Sequence, residues 1–321
     1  MGTVVALGGQ VGGAKLADGL YRLRGRDLAL IVNTGDDYEH LGIAFSPDLD
    51  TALYTLAGIA SASAGWEPED ESHTMQHMLM TLGGPPQPRL GDKSLAASLL
   101  RSQGLASGRR LTEITLDFCR RLGIAARILP MSDDPVRTHV LTDDGAIPFP
   151  EYYGPLACAP RVRGLEYAGA DQARIPDEIL DALHAADLEA VVICPANPYH
   201  SISPILEISG MRQLLRKRGA PVIAVTPIVG GKALKSSAGK LMRELGKEPS
   251  PRAVAIEYLR LVDGFVIDRE DAHLVESVRS LGIQVLAAPT VMRTPDDRVA
   301  LARIVLDFAA TVREIRTLEV E

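Results

Sequence analysis

The 321-residue chain lacks any apolar run long enough to cross a membrane: its longest runs are strand-length, well short of the roughly 18–20 residues a spanning helix needs. It lacks a basic leader as well. Met1-Gly2-Thr3 opens straight onto a strand-like run, so no signal peptide is expected and the expected protein is soluble and cytoplasmic. Basic charge is scarce. Against 41 Asp and Glu stand 34 Lys and Arg, a net charge of −7, which argues against a basic face for nucleic-acid phosphates. The three cysteines, Cys119, Cys158 and Cys194, are odd in number and far apart. They make neither a disulfide framework nor a metal knuckle and are expected as reduced thiols in or near the core. Internal repeats, low-complexity tracts and flexible linkers are missing too. No Ser/His/Asp or Cys/His nucleophile set can be assembled from spacing. His73 and His77 lack the glutamate of a zinc-protease motif and any third ligand, and are expected on an exposed helix face.

What is present is a series of short, nearly continuous apolar runs. They are Thr3–Leu7, Leu28–Val32, Ala126–Leu129, Ala190–Cys194, Val222–Val225, Phe265–Ile267 and Val285–Ala287. Runs without polar alternation suit strands covered on both faces, as in a parallel sheet. Helical spacing falls between several of them, at Pro176–Ala186, Ile205–Arg218, Arg252–Leu261 and Ala272–Leu281, with a last helix from about Pro295. The pattern predicts a Rossmann-like, doubly wound α/β fold over the whole chain, with a mostly parallel sheet. Two stretches break the alternation: residues 60–122, expected to be mostly helical, and residues 137–167, expected to form β-hairpins around a tight turn at Asp143-Asp144-Gly145. Both are expected to wall the carboxyl edge of the sheet.

The chemistry-bearing segments follow the strands. After the first comes Gly8-Gly9-Gln10-Val11-Gly12-Gly13-Ala14-Lys15, which is neither a Walker loop nor a Gly-x-Gly-x-x-Gly fingerprint. It places Gly12, Gly13 and Lys15 where a helix N-terminus could receive a phosphate, or it is simply a tight turn that packs the helix on the sheet. After the second come Asp36, Asp37, Asp48 and Asp50, four carboxylates within fifteen positions. Hard oxygen ligands suit Mg²⁺. The alternatives are solvated turn residues at Asp36 and Asp37 and a helix N-cap at Asp50. Polar loops also follow later strands, at Met131-Ser132-Asp133-Asp134-Pro135, at Pro195–Asn197 with Ser201 beyond, and at Thr226–Lys232. Open sheets bind ligands along such an edge.

Taken with Ser46-Pro47-Asp48-Leu49-Asp50-Thr51 and Arg89-Leu90-Gly91-Asp92, these segments resemble the phospholactate transferase family, CofD/FbiA, of coenzyme F-420 biosynthesis, from Val4 to about Gly246. The resemblance implies an enzyme that transfers a phospholactyl-type group from a guanosine diphosphate-linked donor to the deazaflavin Fo, releasing GMP and requiring Mg²⁺. It implies that Asp50 is the catalytic residue and contacts Fo together with Arg89. It further implies that Asp36, Asp37 and Asp50 form the metal neighbourhood, and that Gly12, Gly13, Lys15, Ser132, Asn197 and Ser201 hold the donor. Two positions depart from the family pattern. Gln10 stands where bacterial members usually carry Gly, so a left-handed backbone there would carry a side-chain penalty. Ala196 stands where Ser usually precedes Asn-Pro. The competing readings are a non-catalytic nucleotide-sugar-binding regulator of the same superfamily and an NAD-dependent dehydrogenase, the latter disfavoured by the missing fingerprint. A homodimer is the default assembly.

Overall fold

The computed structural model describes residues 2–217, 219–233 and 238–320. Its centre is a seven-stranded, all-parallel sheet in the order Gln284–Ala288, Gly264–Asp268, Val222–Val225, Leu188–Ile193, Thr3–Gly8, Leu28–Val32, Arg127–Pro130. All seven expected strands are there. Leu28–Val32, Val222–Val225 and Gly264–Asp268 are buried at every position, which is why their sequences show no polar alternation. Successive residues feed opposite faces. Val5, Leu7, Ala29, Ile31, Val191 and Ile193 pack with Tyr152, Ile179 and Ile205 on one side. Val4, Ala6, Leu28, Leu30, Ala190 and Val192 pack with Leu16, Leu20, Leu301 and Val305 on the other.

Strand order reverses at Thr3–Gly8. From there the chain builds outward through Leu28–Val32 and Arg127–Pro130, then returns to the other flank as Leu188–Ile193. The crevice between the carboxyl ends of Thr3–Gly8 and Leu188–Ile193 is therefore the topological switch point, where such sheets take ligands. Helix Gln10–Arg24 starts in that crevice and packs against the C-terminal helix Pro295–Val320. The contact is close because Gly19 has no side chain: a Cβ there would lie 2.1 Å from the Arg298 carbonyl oxygen. Buried Asp18 ties the two helices by pairing with Arg22 and Arg298, each at 3.0 Å.

The two stretches that break the alternation form elements outside the central sheet. The first holds helices Thr74–Thr81, Asp92–Ala106 and Leu111–Arg121, while its opening stretch, residues 60–73, is turns closed by an Ala60–Pro68 bridge. The second is an antiparallel sheet of Arg137–Thr142, Gly145–Pro148 and Val162–Ala168, with the short helix Phe149–Tyr153. Its tight turn is at Asp143-Asp144, where Gly145 has φ +121°. The expected helix over Ile205–Arg218 is two, Ser203–Glu207 and Met211–Lys217, separated where Gly210 turns left-handed at φ +85°; Arg218 itself lies outside the described residues. Residues 272–281 begin as a 3₁₀ turn, Arg269–Leu274, and become α-helical only at Val275–Arg279.

Candidate active site

A cavity of about 1030 Å³ opens at the switch point. Its floor is the start of helix Gln10–Arg24 and the Pro195–Asn197 loop. Its walls come from the two insertions, through Trp66, His73, Arg89 and Ser94 on one and Tyr153 on the other. Of the residues the sequence singled out, the cavity brings together Gly12, Lys15, Asp50, Arg89 and Asn197. Gly13, Asp36, Asp37, Ser132 and Ser201 do not line it.

The glycine turn serves packing and the cavity together. Strand Thr3–Gly8 ends, Gly9 takes the N-cap position in extended backbone, and the helix begins at Gln10. A Cβ on Gly12 would come 2.3 Å from the Pro195 carbonyl oxygen, and one on Gly13 would come 3.3 Å from the Gly8 Cα. These glycines let the helix start lie directly on the neighbouring strand end. Gln10 has φ +54°, so the conditional penalty of a side chain in the left-handed conformation applies at this position. Lys15 Nζ donates to the Met292 carbonyl at 3.0 Å across the cavity floor.

The carboxylates separate into distinct roles. Asp48 is buried, and its Oδ1 accepts the Gln10 backbone N–H at 2.9 Å while Oδ2 accepts the Asn33 side-chain amide at 3.0 Å. Burial, with the nearby charge of Asp36, pushes its carboxyl up to about 7. Asp37 accepts the Ser46 hydroxyl at 2.7 Å, and burial pushes it up to about 8 against the opposing pull of Ser46 and Arg101. Asp36 meets His200 Nδ1 at 3.2 Å. Oδ1 of Asp36 and Oδ1 of Asp37 are both buried with no hydrogen-bond partner among the described residues.

Asp50 is not an N-cap. Helix Pro47–Leu56 has Ser46 in the capping position with Pro47 in the first turn, a Ser-Pro start legible in the sequence. The Asp50 backbone N–H already donates into the helix, to Ser46 O at 3.0 Å. Its side chain lines the cavity and forms a buried ion pair with Arg101, which comes from helix Asp92–Ala106. Burial raises the Asp50 carboxyl above its ordinary value and the Arg101 charge partly offsets this. Sequence reasoning missed Arg101. Its signal was the polar stripe Ser94, Ser98, Arg101 at helical spacing, with Ser98 and Arg101 buried and Ser94 half-buried while Leu99 and Leu100 face out, the reverse of an ordinary amphipathic helix.

The insertion carrying Arg89 is pinned by mutual capping. Glu71 accepts the Lys93 and Ser94 backbone N–H groups at 2.8 and 3.0 Å, at the start of helix Asp92–Ala106. Asp92 in turn accepts those of Thr74 and Met75, each at 3.0 Å, at the start of helix Thr74–Thr81. Exposed Arg89 lies between these anchors, next to Leu90, whose carbonyl meets His73 Nδ1 at 2.9 Å.

Asn197 Oδ1 accepts the Tyr199 N–H at 2.9 Å and so shapes the loop, while its Nδ2 is buried without a partner among the described residues. Asn197 is among the residues that line the cavity. Ser132 is buried and structural: its hydroxyl donates to the Arg174 carbonyl at 2.7 Å and accepts from the Asp134 N–H at 3.0 Å. Ser201 is buried beside His200, 3.4 Å from its Nδ1. Both follow strands, as the site residues do, but face inward. Among the described residues no three His, Cys, Asp or Glu side chains converge to hold a metal, and no helix is long and apolar enough to cross a membrane.

The fold and cavity define a Rossmann-like α/β enzyme with its ligand crevice at the switch point. The chain belongs to the 2-phospho-L-lactate transferase CofD family, whose model matches residues 4–291, and it is accordingly a transferase. It is 38% identical over 317 residues to a phosphoenolpyruvate transferase of Streptomyces griseus subsp. griseus, covering 97% of this chain and 99% of that one. It is 40% identical over 313 residues to a 2-phospho-L-lactate transferase of Methanopyrus kandleri, covering 94% and 96%. Among solved structures, a UPF0052-family protein of Bacillus halodurans shares the fold with a TM-score of 0.63, at 15% identity over 95% of this chain and 100% of that chain.

Proposed function

We propose that this transferase moves a phospholactyl, phosphoenolpyruvyl or phosphoglyceryl group from a guanosine diphosphate-linked donor to the deazaflavin Fo, giving F-420-0 or its dehydro form and GMP. The observation that carries this reading is that Asp50 and Arg89 line the same cavity as Gly12, Lys15 and Asn197. An acceptor held at the first pair would face a donor held at the second group.

The donor diphosphate would lie over the start of helix Gln10–Arg24, where backbone N–H groups and the helix dipole favour an anion, with Lys15 and the Asn197 Nδ2 beside it. The ribityl hydroxyl of Fo attacks the phosphorus that bears the three-carbon acid; a new P–O bond forms, the bond to GMP breaks, and the hydroxyl proton passes to a base. Asp50 is that base. Burial raises the proton affinity of its carboxylate, while the Arg101 ion pair favours the ionised form and fixes its orientation. Such a transfer depends on alignment and charge neutralisation, with no covalent enzyme intermediate, so no nucleophile triad is needed.

One or two carboxylates plus phosphate oxygens and water commonly hold Mg²⁺, and Asp50 is the proposed metal carboxylate that lines the cavity. Asp36 and Asp37 do not line it, although each keeps a buried oxygen without a partner among the described residues, so Asp50 would hold the ion together with the phosphates of the donor. When bound, Mg²⁺ would neutralise the diphosphate and stabilise departing GMP. The proposal includes a cytoplasmic location and a homodimer, for which exposed Leu99 and Leu100 offer an apolar face.

Mass spectrometry of products from Fo with each of the three guanylylated donors tests the reading. An F-420-0-type product with GMP is expected from at least one, and absence of product from all three would overturn it.

A further inference from the structure

The chain is only 4% aromatic, yet five aromatic side chains, Tyr38, Phe45, Tyr54, Trp66 and Tyr153, line the cavity. Three are partly or wholly covered by protein, Tyr38 and Phe45 by stacking on each other at 5.1 Å and 9°. Trp66 and Tyr153 differ. They are 52% and 51% exposed, the two aromatic members of the exposed large hydrophobic side chains among the described residues, and both are on this cavity. A half-uncovered ring on a cavity wall is contact surface without a partner.

Neither ring is on a loose tether. Trp66 is at the tip of a closed turn: Ser61 N–H donates to Glu67 O at 2.7 Å, and Gly65 N–H to Ser61 O at 2.8 Å. Gly65, left-handed at φ +80°, rests on the glycine-turn helix so closely that a Cβ would lie 2.8 Å from Val11 Cγ1. Tyr153 ends helix Phe149–Tyr153 and is backed by Phe149 at 5.7 Å and 22°. Phe149 is itself stacked on buried His200 at 4.2 Å. Two insertions of unrelated structure thus each present one supported ring to the same space.

We infer that Trp66 and Tyr153 are stacking walls for a flat, fused heteroaromatic ring system, which on the function proposed above is the tricycle of the acceptor and not the base of the donor. Trp66 shares its insertion with Arg89, His73 and Ser94, and shares the cavity with Asp50 and three further aromatic rings. The cavity segments beyond Lys15, which are Thr226–Val229 and Thr290–Arg293, carry no aromatic residue. The rings therefore select planar acceptors and hold the side-chain hydroxyl of the acceptor at a fixed distance from Asp50.

The test is direct binding of Fo, followed by its fluorescence anisotropy, to wild type and to Trp66→Ala, Tyr153→Ala, Trp66→Phe and Tyr153→Phe, with GMP binding measured in parallel. Stacking on an aromatic side chain predicts Fo affinity weaker by about tenfold in each alanine variant. The phenylalanine variants keep a ring and are expected within about twofold of wild type, and GMP affinity is expected to be unchanged in all four. Both side chains are half exposed, and the phenylalanine variants keep the ring, including the one stacked on core residue Phe149. Wild type that fails to bind Fo overturns the acceptor reading and this inference with it. Wild type that binds Fo, with alanine variants that bind it equally well, overturns the inference alone. Loss of GMP affinity with Fo affinity retained also overturns it, and assigns the rings to the donor base.

Discussion

Asp48 reaches back across 38 positions to hold the backbone N–H of Gln10 at 2.9 Å, and so fixes the first residue of the switch-point helix in a left-handed conformation. A Cβ on the preceding residue, Gly9, would come 2.3 Å from the same carboxylate, so the turn is built around Asp48. An L-residue in that conformation costs roughly 1–2 kcal/mol, a penalty that glycine avoids.

Gln10→Gly is therefore expected to raise stability by about 1 kcal/mol, read as a higher urea midpoint with an unchanged slope. Gln10→Ala, which keeps the penalty, is expected to leave the midpoint close to wild type. A glycine variant no more stable than the alanine variant would show that Asp48 holds the turn without strain.

The buried acids make stability depend on pH in an unusual direction. In the folded protein Asp48 keeps its proton up to about 7 and Asp37 up to about 8, whereas unfolded carboxyls release theirs near 4. Across that interval the folded state binds more protons than the unfolded state, so these two groups make stability fall as pH rises, by ~1.4 kcal/mol per pH unit for each fully differing group. Chemical unfolding in EDTA between pH 4.5 and 8 is expected to show this decline, and Asp37→Asn is expected to flatten it. A variant with the same slope as wild type would remove Asp37 from the account.

How far these features can be read in the sequence follows from their range. The seven strands are legible because burial on both faces leaves continuous apolar runs such as Leu28–Val32. The two insertions are legible because they break that rhythm. The sequence raised a left-handed Gln10 only as a condition, and the backbone meets it at φ +54°. Asp50 paired with Arg101 was not, because the pairing spans 51 positions and links two separate helices. The expected donor roles of Ser132 and Ser201 came from loop position alone. Position after a strand does not say whether a hydroxyl turns to the cavity or, as here, to the Arg174 carbonyl and the His200 ring.

Asn197 offers a cleaner test of the donor site than the glycines, whose replacement would disrupt packing. Asn197→Asp preserves the oxygen that accepts the Tyr199 N–H but replaces the buried Nδ2 donor with a second acceptor. A lost hydrogen bond to a charged group is worth about 1.5–3 kcal/mol. Donor KM or GMP dissociation constant should therefore rise by roughly tenfold or more, with Fo KM unchanged, and the melting temperature should fall because the variant buries a carboxylate. Normal donor affinity in this variant would place the phosphates away from the Asn197 loop.

Asp50→Asn should lower both stability and rate, and a companion variant separates the two. The amide keeps the shape but not the charge that faces Arg101, and removing one partner of a buried ion pair can cost about 3–5 kcal/mol, with less expected where an oxygen still accepts a hydrogen bond. Arg101→Gln disturbs the same pair from the other side while leaving the Asp50 carboxylate in the cavity. Measured below both melting temperatures, Asp50→Asn is expected to lose roughly 10²-fold or more in the rate from Fo to product, the usual size of a general-base contribution. Arg101→Gln, with a comparable loss of stability, is expected to retain much more of the rate, because its base survives in a less fixed orientation. Equal rate losses in the two variants would mean that Asp50 matters only as the partner of Arg101. The proton of the attacking hydroxyl would then have to leave by another route.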